Sequence, residues 1–400
     1  MLIVGMAGML LTVGGCAYNA SWTNDTRAVR EAEAPEPDVR TEESPEDAIT
    51  DVSSFIEAAD SEEISDVYYA YHVLEEREQT LYREIFDALA NMRESVTLST
   101  VNEPTVDRIY SCVMNDHPEL FYVEGYRYTA YTVDGAITSI AFEGTYSMSR
   151  AEAAGMERRI EEKLRACFAG VPMNEDEYST IAYLYEYLIE HTEYDKNAEN
   201  NQNILSVFLE GRSVCQGYAM ALQYLLQRMG IQAMVVTGFT NGERHAWNLV
   251  RVNGAYYYID PTWGDASYAN SAESVAEGDT PPINYDYFLV TTNELTRTHS
   301  IERVVSLPIC VSTQDNYFVR EGLYFESYDR ELLAQIFDSE EARTTDYVTI
   351  KCSSIELYND FMHRLIDSQE IFGFISNQGQ SIAFTSNYYQ RTISFWNIFY

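Results

Sequence analysis

The chain has 400 residues, of which 26 are Lys or Arg and 63 are Asp or Glu, giving a formal net charge of −37. A surface this acidic repels nucleic acid and anionic lipid, which argues against both as ligands. With 46% hydrophobic residues and a length beyond one ordinary domain, the composition predicts two or three domains with sizeable cores.

The chain opens MLIVGMAGMLLTVGGC, apolar through Val13 and then small up to Cys16. Such a short run suits the apolar region of a signal peptide better than a bilayer span. Val13-Gly14-Gly15-Cys16 resembles the lipobox of bacterial lipoproteins. The resemblance implies a signal peptide at 1–15, lipid on Cys16, and an extracytoplasmic protein held at the bacterial cell surface by that anchor. One departure is the lack of Lys or Arg ahead of the apolar run; the competing reading is a piece of a transmembrane anchor. Residues 16–65, centred on EAEAPEPDVRTEESPED, are acidic, Pro-containing and poor in large apolar residues. They predict a disordered tether.

Residues 66–150 read as a first α+β unit. DVYYAYHVLEEREQTLYREIFDALANM has helical spacing, EPTVDRIYSCVMNDHPEL a second, shorter helix, and the strands around Asp134-Gly135 a hairpin. His117 reads as a turn residue. Two further helices, SRAEAAGMERRIEEKLRACF and EDEYSTIAYLYEYLIEHTEYD, lead into a core spanning 151–300. The six cysteines, Cys16, Cys112, Cys167, Cys215, Cys310 and Cys352, include no CxxC pair, so they outline neither a disulfide framework nor a zinc site. No D-x-D-x-D-G calcium loop is present.

In GRSVCQGYAMALQYLLQRMG, Tyr218, Leu222, Leu225, Leu226 and Met229 form a helical stripe, and Gly230 a C-terminal stop. Ser213 and Gln216 have the form of a capping box, which places Cys215 at the second helical position. There the helix macrodipole and uncommitted N–H groups favour thiolate over thiol. The plain alternative is a packed, inert thiol.

A base for such a thiolate comes from RHAWNLVRVNGAYYYIDPTW. Asn253-Gly254 predicts a two-residue type I′ turn, and this fixes the register: Val252 opposite Ala255, Leu249 opposite Tyr258, Trp247 opposite Asp260, His245 opposite Thr262. His245 and Asp260 then become diagonal neighbours on one face, about 7–8 Å apart at the backbone and bridgeable by side chains. His72, His191 and His363 have no ligand spacing, and His299 has no partner in view. Beyond 300, NYFVREGLYFES, DRELLAQIFDSEEA, DYVTIKCSS, IELYNDFMHRLIDS and SIAFTSNYYQRTISFWNIF read as strand, helix, strand, helix and strands, a C-terminal α+β unit at 301–400.

The segments around Cys215, His245 and Asp260, with the upstream HTEYD at 191–195, resemble the transglutaminase-like superfamily of cysteine acyl-transfer enzymes. The resemblance is specific over roughly 170–300 and loose on either side. It implies an α+β, papain-like fold, with the nucleophile helix packed on an antiparallel sheet and small α+β units flanking it. It implies Cys215 as nucleophile, His245 as general base and then acid, and Asp260 as the orienting carboxylate. Tyr194, Gln216 and Trp247 become supporting candidates, the last weighed against ordinary core packing, while Trp263 and Asp265 shape the following loop. The expected substrate is a protein or peptide, without cofactor or metal. Hydrolysis through a thioacyl enzyme is favoured; isopeptide crosslinking and a non-catalytic surface binding protein on the same fold remain alternatives.

Overall fold

The computed structural model describes residues 66–172, 176–265, 283–375 and 382–399, and the backbone of 29–33. The expected signal peptide and Cys16 lie outside the described residues, as does the expected tether apart from strand β1 (Val29–Glu33). Among the described residues no helix is long and apolar enough to cross a membrane. The chain divides into two compact units, one formed by the chain up to Arg165 with Gln223–Val235 and Arg303–Leu307, the other by Ala166–Leu222, Val236–Glu302 and Pro308–Tyr400.

In the first unit, helices α1 (Tyr69–Val73), α2 (Glu76–Ala90) and α3 (Glu103–Asp116) precede β3 (Val123–Val133) and β4 (Ala136–Tyr146), with β2 (Val96–Thr97) completing a sheet ordered β1-β3-β4-β2. The hairpin expected at Asp134-Gly135 forms, with φ of 51° and 80° at the two turn residues, the left-handed pair that a type I′ turn requires. Asn102 starts α3 by accepting the Thr105 N–H, and Pro104 occupies the first turn, where its missing N–H costs nothing. At the far end of α3 the buried Asp116 accepts from the Ala70 and Tyr71 amides and the Tyr82 hydroxyl, fastening α1. Helix α4 (Arg150–Gly170) follows.

The second unit holds the candidate site. Helix α5 (Glu177–Glu190) leads through β5 (Glu193–Tyr194) and β6 (Arg212–Ser213), which pair in parallel, to helix α6 (Cys215–Arg228), which belongs to this unit as far as Leu222. Strands β7 (Ala233–Thr240), β8 (Glu243–Val252), β9 (Ala255–Ile259) and β10 (His299–Glu302) form a sheet ordered β10-β7-β8-β9, with β7–β10 and β8–β9 antiparallel. Between β9 and β10 lie the short helices α7 (Pro261–Gly264) and α8 (Thr292–Leu295). This is the expected α+β architecture of a cysteine-bearing helix and an antiparallel sheet. Gly238 is obligatory: a Cβ there would lie 1.9 Å from Ser300 O and 2.8 Å from the Trp247 ring, so only glycine lets β10 and Trp247 close on β7.

The C-terminal part of this unit has its own sheet and core. Strands β11 (Tyr324–Phe325), β12 (Tyr347–Cys352), β13 (Ala383–Asn387) and β14 (Thr392–Trp396) are ordered β11-β12-β14-β13, with Phe325, Leu333, Phe337, Ile350, Phe361 and Phe395 among the residues of one core. The stretch NYFVREG, expected as a strand, instead makes the helical turn α9 (Tyr317–Arg320). Burial decides it: Phe318 is fully buried, the turn closes through Leu323 N–H on Phe318 O, and Gly322 stops it at φ 70°. The buried Lys351 of β12 pairs with Glu294 of α8 at 2.8 Å, and Asn387 donates to Asp286. These bonds bind the C-terminal sheet to the segment before His299.

Candidate active site

Cys215 is the first residue of α6, one position earlier than the capping box places it. The Tyr218 N–H bonds to Val214 O, so the helix begins from Val214. Ser213 does not cap: its backbone is engaged in pairing with Tyr194, and its hydroxyl sits 2.8 Å from Ser206 Oγ and donates to Asn201 O. Gln216 is accordingly not a cap partner, and its Oε1 is buried without a hydrogen-bond partner among the described residues. Cys215 nevertheless lies in the first turn of the helix, where α-helical bonding leaves N–H groups uncommitted. Cys215 itself is 1% exposed.

The β8–β9 hairpin has the expected register from Val252 opposite Ala255 to Leu249 opposite Tyr258, ending with Asn248 opposite Ile259. The pairs Trp247–Asp260 and His245–Thr262 do not form. Pro261 has no N–H to continue the ladder and suits the first helical position, so the chain leaves the sheet with Asp260 as N-cap of α7. The cap does what the sheet would have done. Asp260 Oδ1 accepts the amides of Thr262 and Trp263 at 3.0 and 3.1 Å, which turns Oδ2 toward His245 Nε2 at 2.6 Å. Both side chains are buried.

Burial alone would raise the Asp260 carboxyl. The charge and hydrogen bond of His245, followed by the hydrogen bond of His299, outweigh burial and hold it far below the usual carboxylate range. The pair therefore contains a carboxylate, not an acid. With Nε2 bonded to Asp260, any proton that His245 exchanges with a further group passes through Nδ1.

Hydrogen bonds from Asn248 and Tyr218 tie the start of α6 to the segments that carry this pair. Asn248 on β8, three residues beyond His245, donates to Ala219 O, one turn beyond Cys215, at 2.9 Å. The single Tyr218 hydroxyl proton is shared between Asp265 Oδ2 at 2.7 Å and Thr192 O at 2.9 Å, joining α6 to the residue after α7 and to the residue before β5. Tyr194 is placed beside Tyr218, ring centroids 6.4 Å apart, and pairs in register with Ser213. Trp247 is fully buried and lies 6.0 Å from the His245 ring, while Trp263 lies 5.9 Å from it.

Sequence reasoning missed one member of the group. His299 on β10 places Nε2 3.1 Å from the same Asp260 Oδ2. Its bond spans 39 positions, so no local pattern announces it. His245, Asp260 and His299 also bring three metal-ligand types within 4.8 Å of one another. Both imidazole nitrogens, however, are directed at one carboxylate oxygen, so the atoms a cation would need are engaged in hydrogen bonds.

Comparison with known proteins bears on the same segment. The profile of the Transglutaminase-like superfamily matches residues 169–261, which include Cys215, His245 and Asp260. Kyphoscoliosis peptidase from Homo sapiens is 26% identical, and that from Mus musculus 24%, each over 101 residues amounting to 21% of this chain. The similarity thus spans about 15% of the length of these curated relatives. A solved structure of a TGase overlaps 39% of this chain and 60% of its own, at 14% identity and a TM-score of 0.27. Residues 169–261 of this chain are a domain of the transglutaminase-like superfamily.

Proposed function

We propose that this domain is a cysteine acyl-transfer enzyme that hydrolyses peptide or amide bonds through a thioacyl intermediate. Cys215 is the nucleophile, His245 the base and acid, and Asp260 the orienting carboxylate. The observation that supports this best is the buried His245 Nε2–Asp260 Oδ2 bond of 2.6 Å, on a strand whose Asn248 bonds the Cys215 helix one turn beyond the cysteine. His245 Nδ1 takes the thiol proton, sulfur attacks the carbonyl carbon, and the helix-start N–H of Cys215 helps stabilise the oxyanion. The Nδ1 proton passes to the departing amine and leaves a thioester. Water, deprotonated by the same nitrogen, then displaces the thiolate and releases the acid.

A neutral thiol without its base labels slowly, so iodoacetamide modification of Cys215 at pH 7 tests the pairing. Fast labelling in the parent chain and slow labelling in His245→Ala supports it; equal rates overturn it. Mass spectrometry of a peptide library, incubated with and without an added primary amine, separates hydrolysis from crosslinking.

The lipobox-like Val13–Cys16 supports a lipid-anchored, extracytoplasmic placement for the enzyme. Metabolic incorporation of palmitate that disappears in Cys16→Ser tests that placement.

A further inference from the structure

We propose that His299 is a positioning residue for the Cys215–His245–Asp260 site, acting as a neutral imidazole that carries its proton on Nε2 and holds the Asp260 carboxylate toward His245. This rests on the reading of the site given above and adds a fourth residue to it.

The argument begins with proton accounting. Asp260 Oδ2 is a carboxylate oxygen and can only accept, so the His299 nitrogen 3.1 Å away must carry hydrogen. Burial, the largest influence on His299, works against its charged form with help from the neighbouring His245, and together they outweigh the opposing pull of Asp260 and of the Leu295 carbonyl beside the ring. A neutral imidazole with hydrogen on Nε2 has a bare Nδ1. That nitrogen lies 2.8 Å from Thr298 Oγ1, so the threonine hydroxyl must donate to it. Thr298 Oγ1 then accepts from the Tyr287 hydroxyl at 2.9 Å. The longer 3.4 Å approach of Thr298 Oγ1 to Leu295 O is the bond given up. The result is a one-way relay: Tyr287 to Thr298, Thr298 to His299, His299 to Asp260.

The surroundings hold the ring in place. Trp247, Trp263 and Tyr287 pack around His299 at centroid distances of 4.9, 4.8 and 5.2 Å. The titratable groups facing it are Asp260 and His245, with Tyr287 also reached through Thr298. The relay is anchored from the C-terminal sheet, because the buried Gln390 donates to Glu294 O at 3.2 Å and also bonds Tyr287.

The function of such a relay is directional. A carboxylate held by two amides on one oxygen and one imidazole on the other cannot rotate away when His245 changes protonation state. His299 thereby keeps Asp260 aimed while His245 gives and takes its proton.

The test is iodoacetamide labelling of Cys215 at pH 7 in the full chain carrying His299→Phe, His299→Gln or Thr298→Val. Phenylalanine fills the ring site but removes the donor. It is expected to slow labelling about tenfold, equivalent to about one unit in the thiolate's pKa. Glutamine can place an N–H where Nε2 stood and is expected to restore the rate to within about threefold. Thr298→Val removes the hydroxyl that fixes the tautomer and is expected to give an intermediate rate; it also supplies the answer if the phenylalanine variant fails to fold. Unchanged rates in Thr298→Val and in a folded His299→Phe overturn the proposal, as does a slow glutamine variant that is folded. If His245→Ala also labels like the parent chain, the acyl-transfer reading fails first. If His245→Ala is slow while the His299 and Thr298 variants are fast, only this inference fails.

Discussion

Replacing Asp260 by asparagine separates catalytic geometry from stability, because the two respond differently. Asp260 makes four hydrogen bonds, all as acceptor: two to amides through Oδ1 and two to imidazoles through Oδ2. Asparagine keeps an acceptor for the amides only if its NH2 group faces the imidazoles. Both rings must then move their proton to Nδ1 to offer a bare Nε2. The four contacts survive in this form, so the stability lost is the charge assistance alone, about 1–2 kcal/mol. Reactivity suffers far more, because His245 now points a hydrogen outward through Nδ1 and cannot act as base. A thiol of ordinary pKa, about 8.5, is about 3% ionised at pH 7, so alkylation of Cys215 should slow about thirtyfold if the native thiolate is fully formed. Turnover of an amide needs the base as well and should fall about ten-thousandfold, the size of effect known for a wrong histidine tautomer. Urea denaturation and iodoacetamide labelling on the same preparation give both numbers. Parent-like labelling in a folded Asp260→Asn chain would refute the reasoning, because it would show that the tautomer of His245 is immaterial to Cys215.

Three further outcomes follow from the packing. Glu294 is held at about 2, since its pairing with Lys351 outweighs a burial that would raise it; a lowered folded pKa means its stabilisation is complete above the unfolded value of 4.5 and is lost as pH falls toward 2. Lys351→Met leaves that carboxylate buried and unpaired, costing about 3–5 kcal/mol by urea denaturation at pH 7 and shifting acid unfolding to higher pH. Gly238→Ala puts a methyl group 1.9 Å from Ser300 O, parting β7 from β10; a loss of about 3 kcal/mol or more and slower Cys215 labelling are expected, and a parent-like melting curve would count against it. Tyr218→Phe withdraws the one donor that Asp265 and Thr192 O share and should cost about 1–3 kcal/mol in the same denaturation assay.

Much of the site was legible because short-range rules act on it. The Asn253-Gly254 turn fixes which residues of β8 and β9 face each other, and that register forms as far as Ile259. It fails at Pro261, where proline chemistry and capping by Asp260 win over continued pairing. The capping box at Ser213 and Gln216 was a true pattern overruled by tertiary structure, since strand pairing and two oxygens from the 201–206 segment claimed Ser213 first. His299 was beyond reach for a different reason. Its significance lies in a carboxylate on the far side of a connection that periodicity says nothing about, and only the sheet order β10-β7-β8-β9 brings the two imidazoles together.

The bonds from Gln390 and Lys351 to α8 have a consequence during biosynthesis. A ribosome delivers Cys215, His245 and Asp260 long before it delivers Gln390. Until that glutamine leaves the exit tunnel, Tyr287 lacks one of its anchors and the relay behind the carboxylate is unfinished. The surroundings of Asp260 are therefore completed only after the segment around Gln390 has been made, well after the residues that it supports.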